Sequence, residues 1–120
     1  MVRGLRGATT VTKDEPQLIL QATGELLEKI LEGNATLATE DIASIFFTVT
    51  TDLVSVHPAV AARNMGWTSV PLLCSTEIPV PGSLPFCVRV LIHWNTELTQ
   101  SEIKHIYLNE AVRLRPDLSK

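Results

Sequence analysis

Two apolar runs, residues 70–74 and 86–94, stand on either side of Pro79-Val80-Pro81-Gly82-Ser83-Leu84-Pro85. Each proline fixes φ and removes a backbone donor, so no helix or ladder continues through this connection and the runs must be separate strands with stiffly held ends. In the second run Val88, Val90, Ile92 and Trp94 share one face, and Cys87, Arg89, Leu91 and His93 share the other. One face is wholly apolar and belongs to a core. The other carries Arg89, and Glu77 stands just beyond the first run. An ionised Glu and an ionised Arg next to such apolar segments are held where charge is expensive. Either they satisfy each other as a structural ion pair, or they face a cavity whose ligand supplies the missing partners.

The remaining elements follow from periodicity and punctuation. Residues 2–11 read as a strand in which Arg3 and Arg6 lie on opposite faces, so that one of them points inward. Asp14 is placed to cap a helix starting at Glu15 and Pro16, with Gln17 in capping-box position. Ile19, Ala22, Leu26, Leu27 and Ile30 form its apolar stripe, and Gly33-Asn34 ends it. After a hook at Thr39-Glu40-Asp41, the run Ile45-Phe46-Phe47-Thr48-Val49 reads as an interior strand lying in the core. Pro58 opens a short alanine-rich helix closed by Gly66, with Arg63 near its carboxyl end. A helical turn over 99–105 leads into a final strand over 106–108, and the tail over 117–120 is expected to be mobile.

This order predicts an α/β (α+β) fold: about five strands in a mixed sheet, covered on one face by one long and one short helix. Residues 1–120 make a single domain, since a chain of 120 residues has room for one core. The uncovered sheet face has apolar residues to bury, which predicts a homo-oligomer with sites at subunit boundaries.

Several chemistries are set aside. A net charge of -3 disfavours a nucleic-acid surface, which relies on clustered Lys and Arg. No apolar run approaches the roughly 18 residues of a membrane span. Met1-Val2-Arg3-Gly4 leads into no signal-peptide core, so a cytoplasmic protein with reduced cysteines is expected. His57, His93 and His105 lack metal-ligand spacing, and neither Cys74 nor Cys87 belongs to a CxxC pair, which predicts no metal site. There is no GxGxxG or P-loop, and no cofactor is implied. What remains is a set of arginines with one carboxylate, one tyrosine and one thiol, suited to binding and polarising a small polyanion.

Five separated motifs, in order, carry a likeness to a known family: Arg3-Gly4-Leu5-Arg6-Gly7-Ala8-Thr9-Thr10, Cys74-Ser75-Thr76-Glu77, Cys87-Val88-Arg89-Val90, His105-Ile106-Tyr107-Leu108 and Leu114-Arg115-Pro116-Asp117-Leu118. The chain resembles the small monofunctional chorismate mutases of the AroH class. The resemblance implies a homotrimer with a barrel-like core, three active sites at subunit clefts, and conversion of chorismate to prephenate in aromatic amino-acid biosynthesis. It implies that Arg89 donates to the ether oxygen as the breaking bond loads it with charge, and that Glu77 accepts from the ring hydroxyl. Arg6 and Tyr107 would hold the side-chain carboxylate. Cys74, His57, Leu72, Leu73, Arg63 and Leu114 would line the substrate, with Arg63 reaching in from the neighbouring subunit. The family's better-known members carry Phe where His57 stands and Lys where Val60 stands. A rival from another class is a non-catalytic trimer that binds a small carboxylate.

Overall fold

In the computed structural model, which describes residues 1–114, the strands are β1 (Val2–Thr10), β2 (Ile42–Val49), β3 (Leu72–Thr76), β4 (Cys87–Asn95) and β5 (Ile106–Tyr107). They form one mixed sheet in the order β3-β2-β4-β1-β5. The alternating strand β4 is its centre, antiparallel to both β1 and β2, while β3 and β5 run parallel to their neighbours at the two edges. Helix α1 (Pro16–Gly33) packs on β1 and β5, and α2 (Ala59–Asn64) packs against α1 and β3.

The apolar face of β4 decides where the core sits. Val88, Val90, Ile92 and Trp94 are buried with Leu5, Ile45 and Phe47, and α1 closes over them with Ile19, Leu26, Leu27 and Ile30. Gly7 is the point of closest approach: a Cβ there would stand 3.1 Å from the Ile106 carbonyl oxygen and from Ile30 Cδ1. Among the described residues the opposite face carries no α-helix. Phe46 remains 39% exposed and Leu73 58% exposed, which is apolar surface of the kind that subunit contacts cover.

Some expectations need correction. Asp14 does not cap α1: the cap position is Glu15, without a side-chain bond. The Asp14 carboxylate instead accepts from the amides of Val54 and Ser55, both at 3.1 Å. Two loop amides compete successfully for it, and Pro16 at the helix start has no N–H to cap. Thr23, rather than Ala22, is fully buried in the stripe of α1. The third strand begins at Leu72, two residues later than the apolar run, because Pro71 cannot donate to the ladder and offers only its carbonyl, to Ile45 at 2.9 Å. Strand β2 is not wholly interior; Phe46 and Thr48 lie on the uncovered face. Neither arginine of β1 points into the core: Arg3 donates to the Leu98 carbonyl at 2.9 Å, and Arg6 is exposed. Cys74 and Cys87 are free thiols, on strands that β2 separates. The expected mobile tail over 117–120 and the end of the fifth motif, 115–118, lie outside the described residues.

Candidate active site

The register of β4 puts Arg89 opposite Ala8 on one side and Thr48 on the other. Both neighbours are small, so the guanidinium rises from the sheet without crowding. Ala8 is in turn level with Tyr107 across β1 and β5. A second, smaller apolar cluster of Ala8, Cys87, Tyr107 and Ala111, with Leu84 and Leu114 against it, seats the phenol ring on the uncovered face. The Arg6 guanidinium donates to the Tyr107 hydroxyl at 3.3 Å, and the Arg6 backbone N–H donates to His105 Nδ1 at 2.9 Å.

Two turns in left-handed backbone frame this cluster. Asn109, at φ +54°, donates from its side chain to Thr9 Oγ1 and the Thr10 carbonyl, which folds the 3-10 segment Asn109–Leu114 back over β1. Asn tolerates that backbone region better than most residues. Phe86, at φ +51°, donates its N–H to the Asp52 carboxylate at 3.0 and 3.2 Å. Thr50 completes the clasp: its hydroxyl donates to Asp52 and accepts from the Cys87 N–H at 3.0 Å. The entry to β4 is thus tied down at Phe86 and Cys87, three and two residues before Arg89.

Glu77 follows β3 by one residue, its N–H donating to the Val49 carbonyl at 2.8 Å. Its Oε2 accepts from the Thr48 hydroxyl and lies 3.8 Å from Arg89 Nε. The pair is therefore an ion pair and also a pair of cleft walls, and both side chains keep some exposure. Arg6, Thr48, Glu77, Arg89, Tyr107 and Leu114 all line one cleft of about 320 Å³. Beneath it the Cys87 thiol is pushed up by burial, partly offset by the positive charge of Arg89, so it stays protonated and unreactive.

The remaining sequence-predicted residues do not reach this cleft within one chain. His57 and Cys74 line a separate cavity of about 370 Å³. Leu72 packs against the main core, Leu73 is exposed on the uncovered face, and Arg63 is exposed in the last turn of α2. Sequence reasoning missed Thr48 and Asp52. The signal for Thr48 was present, since it is the one polar side chain in an otherwise apolar run; Asp52 was read only as turn chemistry. Among the described residues no group of His, Cys, Asp and Glu is arranged to hold a metal ion.

A cleft that sets two guanidinium groups and a phenol against one carboxylate has the charge and hydrogen-bonding groups to hold and polarise a small anion that also carries a hydroxyl. On a five-stranded α+β sheet, that inventory suits electrostatic rather than nucleophilic chemistry. The chain belongs to the chorismate mutase type I family, whose model matches residues 2–118. It is 58% identical to the chorismate mutase AroH of Thermus thermophilus over 118 residues, covering 98% of this chain and 97% of the relative. It is 48% identical to the chorismate mutase AroH of Bacillus subtilis (strain 168), covering 99% and 94%. A solved chorismate mutase from Clostridium thermocellum superposes with a TM-score of 0.87 at 52% identity, covering 90% of this chain and 96% of that one.

Proposed function

We infer that the chain is a chorismate mutase, an isomerase that converts chorismate to prephenate in aromatic amino-acid biosynthesis. The observation that carries the reading is the convergence of Arg6, Glu77, Arg89 and Tyr107 on one cleft, with Arg89 Nε 3.8 Å from Glu77 Oε2.

The bond changes explain why this inventory suffices. In a Claisen rearrangement the ether C–O bond breaks as a C–C bond forms within one molecule, without acid, base, nucleophile or cofactor. The protein contributes by selecting the compact conformer and stabilising the separating charge. Arg89 donates to the ether oxygen as negative charge builds on it. Arg6, steadied by Tyr107, holds the side-chain carboxylate, and Glu77 accepts from the ring hydroxyl on the more positive side. Even an acceleration of about 10⁶ requires about 8 kcal/mol, whereas one well-placed donor supplies about 3 to 4. Arg89 therefore works together with the conformational restriction imposed by the other three.

The same reading makes the assembly a homotrimer with sites at its subunit clefts. Two observations support it. Leu73 and Phe46 leave apolar area on the uncovered sheet face. His57, Cys74, Arg63 and Leu73 lie apart from the cleft of their own chain, where a neighbouring copy could present them to the substrate. A cytoplasmic location agrees with the two free thiols. The test is purified protein mixed with chorismate: its absorbance should fall far faster than in buffer, with prephenate appearing in equal amount. Binding without turnover would leave the non-catalytic carboxylate binder in its place.

A further inference from the structure

We propose that Thr48 is a positioning residue: its hydroxyl holds Oε2 of Glu77 so that Oε1 is the acceptor offered to the substrate, and so that the carboxylate does not close onto Arg89.

Thr48 stands on β2 between Ser75 of β3 and Arg89 of β4, in register with both. It occupies the uncovered face and lines the cleft beside Glu77 and Arg89. Its neighbour Val49 accepts the Glu77 main-chain N–H at 2.8 Å, while Thr48 itself donates to the Glu77 side chain. Two consecutive residues of β2 therefore fix the backbone and the carboxylate of one residue. The hold is needed because Glu77 lies beyond the end of β3, and its flexible side chain has an opposite charge close by. At 3.8 Å the Glu77–Arg89 pair is not hydrogen-bonded, and Arg89 Nε is buried without a hydrogen-bond partner. Released from Thr48, the carboxylate would swing into a two-pronged pair with the guanidinium, the arrangement this planar fork favours. That collapse would occupy the donors meant for the ether oxygen and the acceptor meant for the ring hydroxyl. Threonine suits the task because its β-branched side chain is stiff at χ1.

The inference rests on the role assigned to Glu77, and the experiment separates the two. Steady-state kinetics with chorismate are measured for Thr48→Val, Thr48→Ser, Glu77→Ala and the Thr48→Val/Glu77→Ala double variant, with unfolding midpoints for each. Thr48→Val keeps the shape and removes the hydroxyl. It should lower kcat about 10-fold or more, the size of a lost hydrogen bond to a charged group, at an unchanged midpoint. Thr48→Ser should restore most of kcat. In the double variant the Thr48→Val loss should vanish, because the carboxylate it positions is gone. A large loss in Glu77→Ala with none in Thr48→Val overturns the inference alone. Equal Thr48→Val losses with and without Glu77 overturn it too, since Thr48 would then act independently of the carboxylate. Full activity in Glu77→Ala overturns the role of Glu77 and the inference with it.

Discussion

Arg89 Nε and Glu77 Oε2 face each other at 3.8 Å, near enough for charge attraction and too far for a hydrogen bond. Nε is buried against the sheet without a hydrogen-bond partner, while the Arg89 side chain as a whole is 42% exposed. The guanidinium is thus anchored at its stem and open at its tip, balanced by a carboxylate that does not saturate it. Such an arrangement is ready for a second negative partner, and preorganised donors of this kind need little rearrangement when charge develops.

Arg89→Ala should therefore lower kcat by about 10² to 10³, the usual loss when one transition-state donor is removed. Arg89→Lys should recover little, because a point charge does not reproduce a planar fork. Arg63→Ala, on the exposed turn of α2, should chiefly raise KM. Steady-state kinetics on the three variants check this, and comparable kcat losses at both arginines would contradict the division of roles.

The clasp before β4 makes a second expectation. Asp52→Ala deprives the Phe86 N–H and the Thr50 hydroxyl of their acceptor at a residue held at φ +51°. Stability should fall by about 1 kcal/mol, the low end of the range for stranding a donor, because these donors are only partly buried. Because Arg89 lies three residues further along, kcat should fall as well. Urea unfolding and kinetics measured together distinguish this coupled loss from plain destabilisation.

Gly7→Ala tests how tightly α1 sits on the sheet. The added methyl would meet the Ile106 carbonyl oxygen and two side chains of α1 at 3.1 to 3.2 Å. Since one of these contacts is backbone, relief requires β5 to move, and a cost of about 1 to 3 kcal/mol is expected. A lowered thermal midpoint would be the readout.

Asp14 makes the stability of the β2–α2 loop depend on pH. Its carboxyl is held below the usual aspartate value, chiefly by hydrogen bonding from the Ser55 side chain, opposed by desolvation and helped further by the amides of Ser55 and Val54. A depressed folded-state value means that the unfolded chain binds the proton more readily. The stabilisation is therefore complete above the unfolded value and is lost as pH falls through the folded one. Asp14→Ala should lower stability at neutral pH and flatten its decline on acidification. Denaturant midpoints across that range provide the check.

Much of this molecule was legible in its residues. The alternation through β4 showed which face of the central strand is core, and the proline-rich connection, the helix stripe and the closing Gly33-Asn34 marked the larger elements. Glu77 and Arg89 were singled out as opposite charges beside apolar runs, the roles of Arg6 and Tyr107 came from motif likeness, and the fold brings all four to one cleft. Local competition was harder to read. Asp14 has good capping chemistry, yet two amides some 40 positions away hold it. Thr48 is the one polar side chain in an apolar run, and its significance shows only once the sheet is known to be covered on one face.

By itself, then, the order of residues determined the strands, the helices and the kinds of charge available, because periodicity, capping and proline act over a few neighbours. Tertiary structure alone decided that Thr48 and Ala8 would flank Arg89 with Tyr107 one strand beyond Ala8, and that Cys74 and His57 would stand apart from it. Those placements depend on strand register and sheet order, which join segments up to about a hundred residues apart and are settled only when the whole core packs at once.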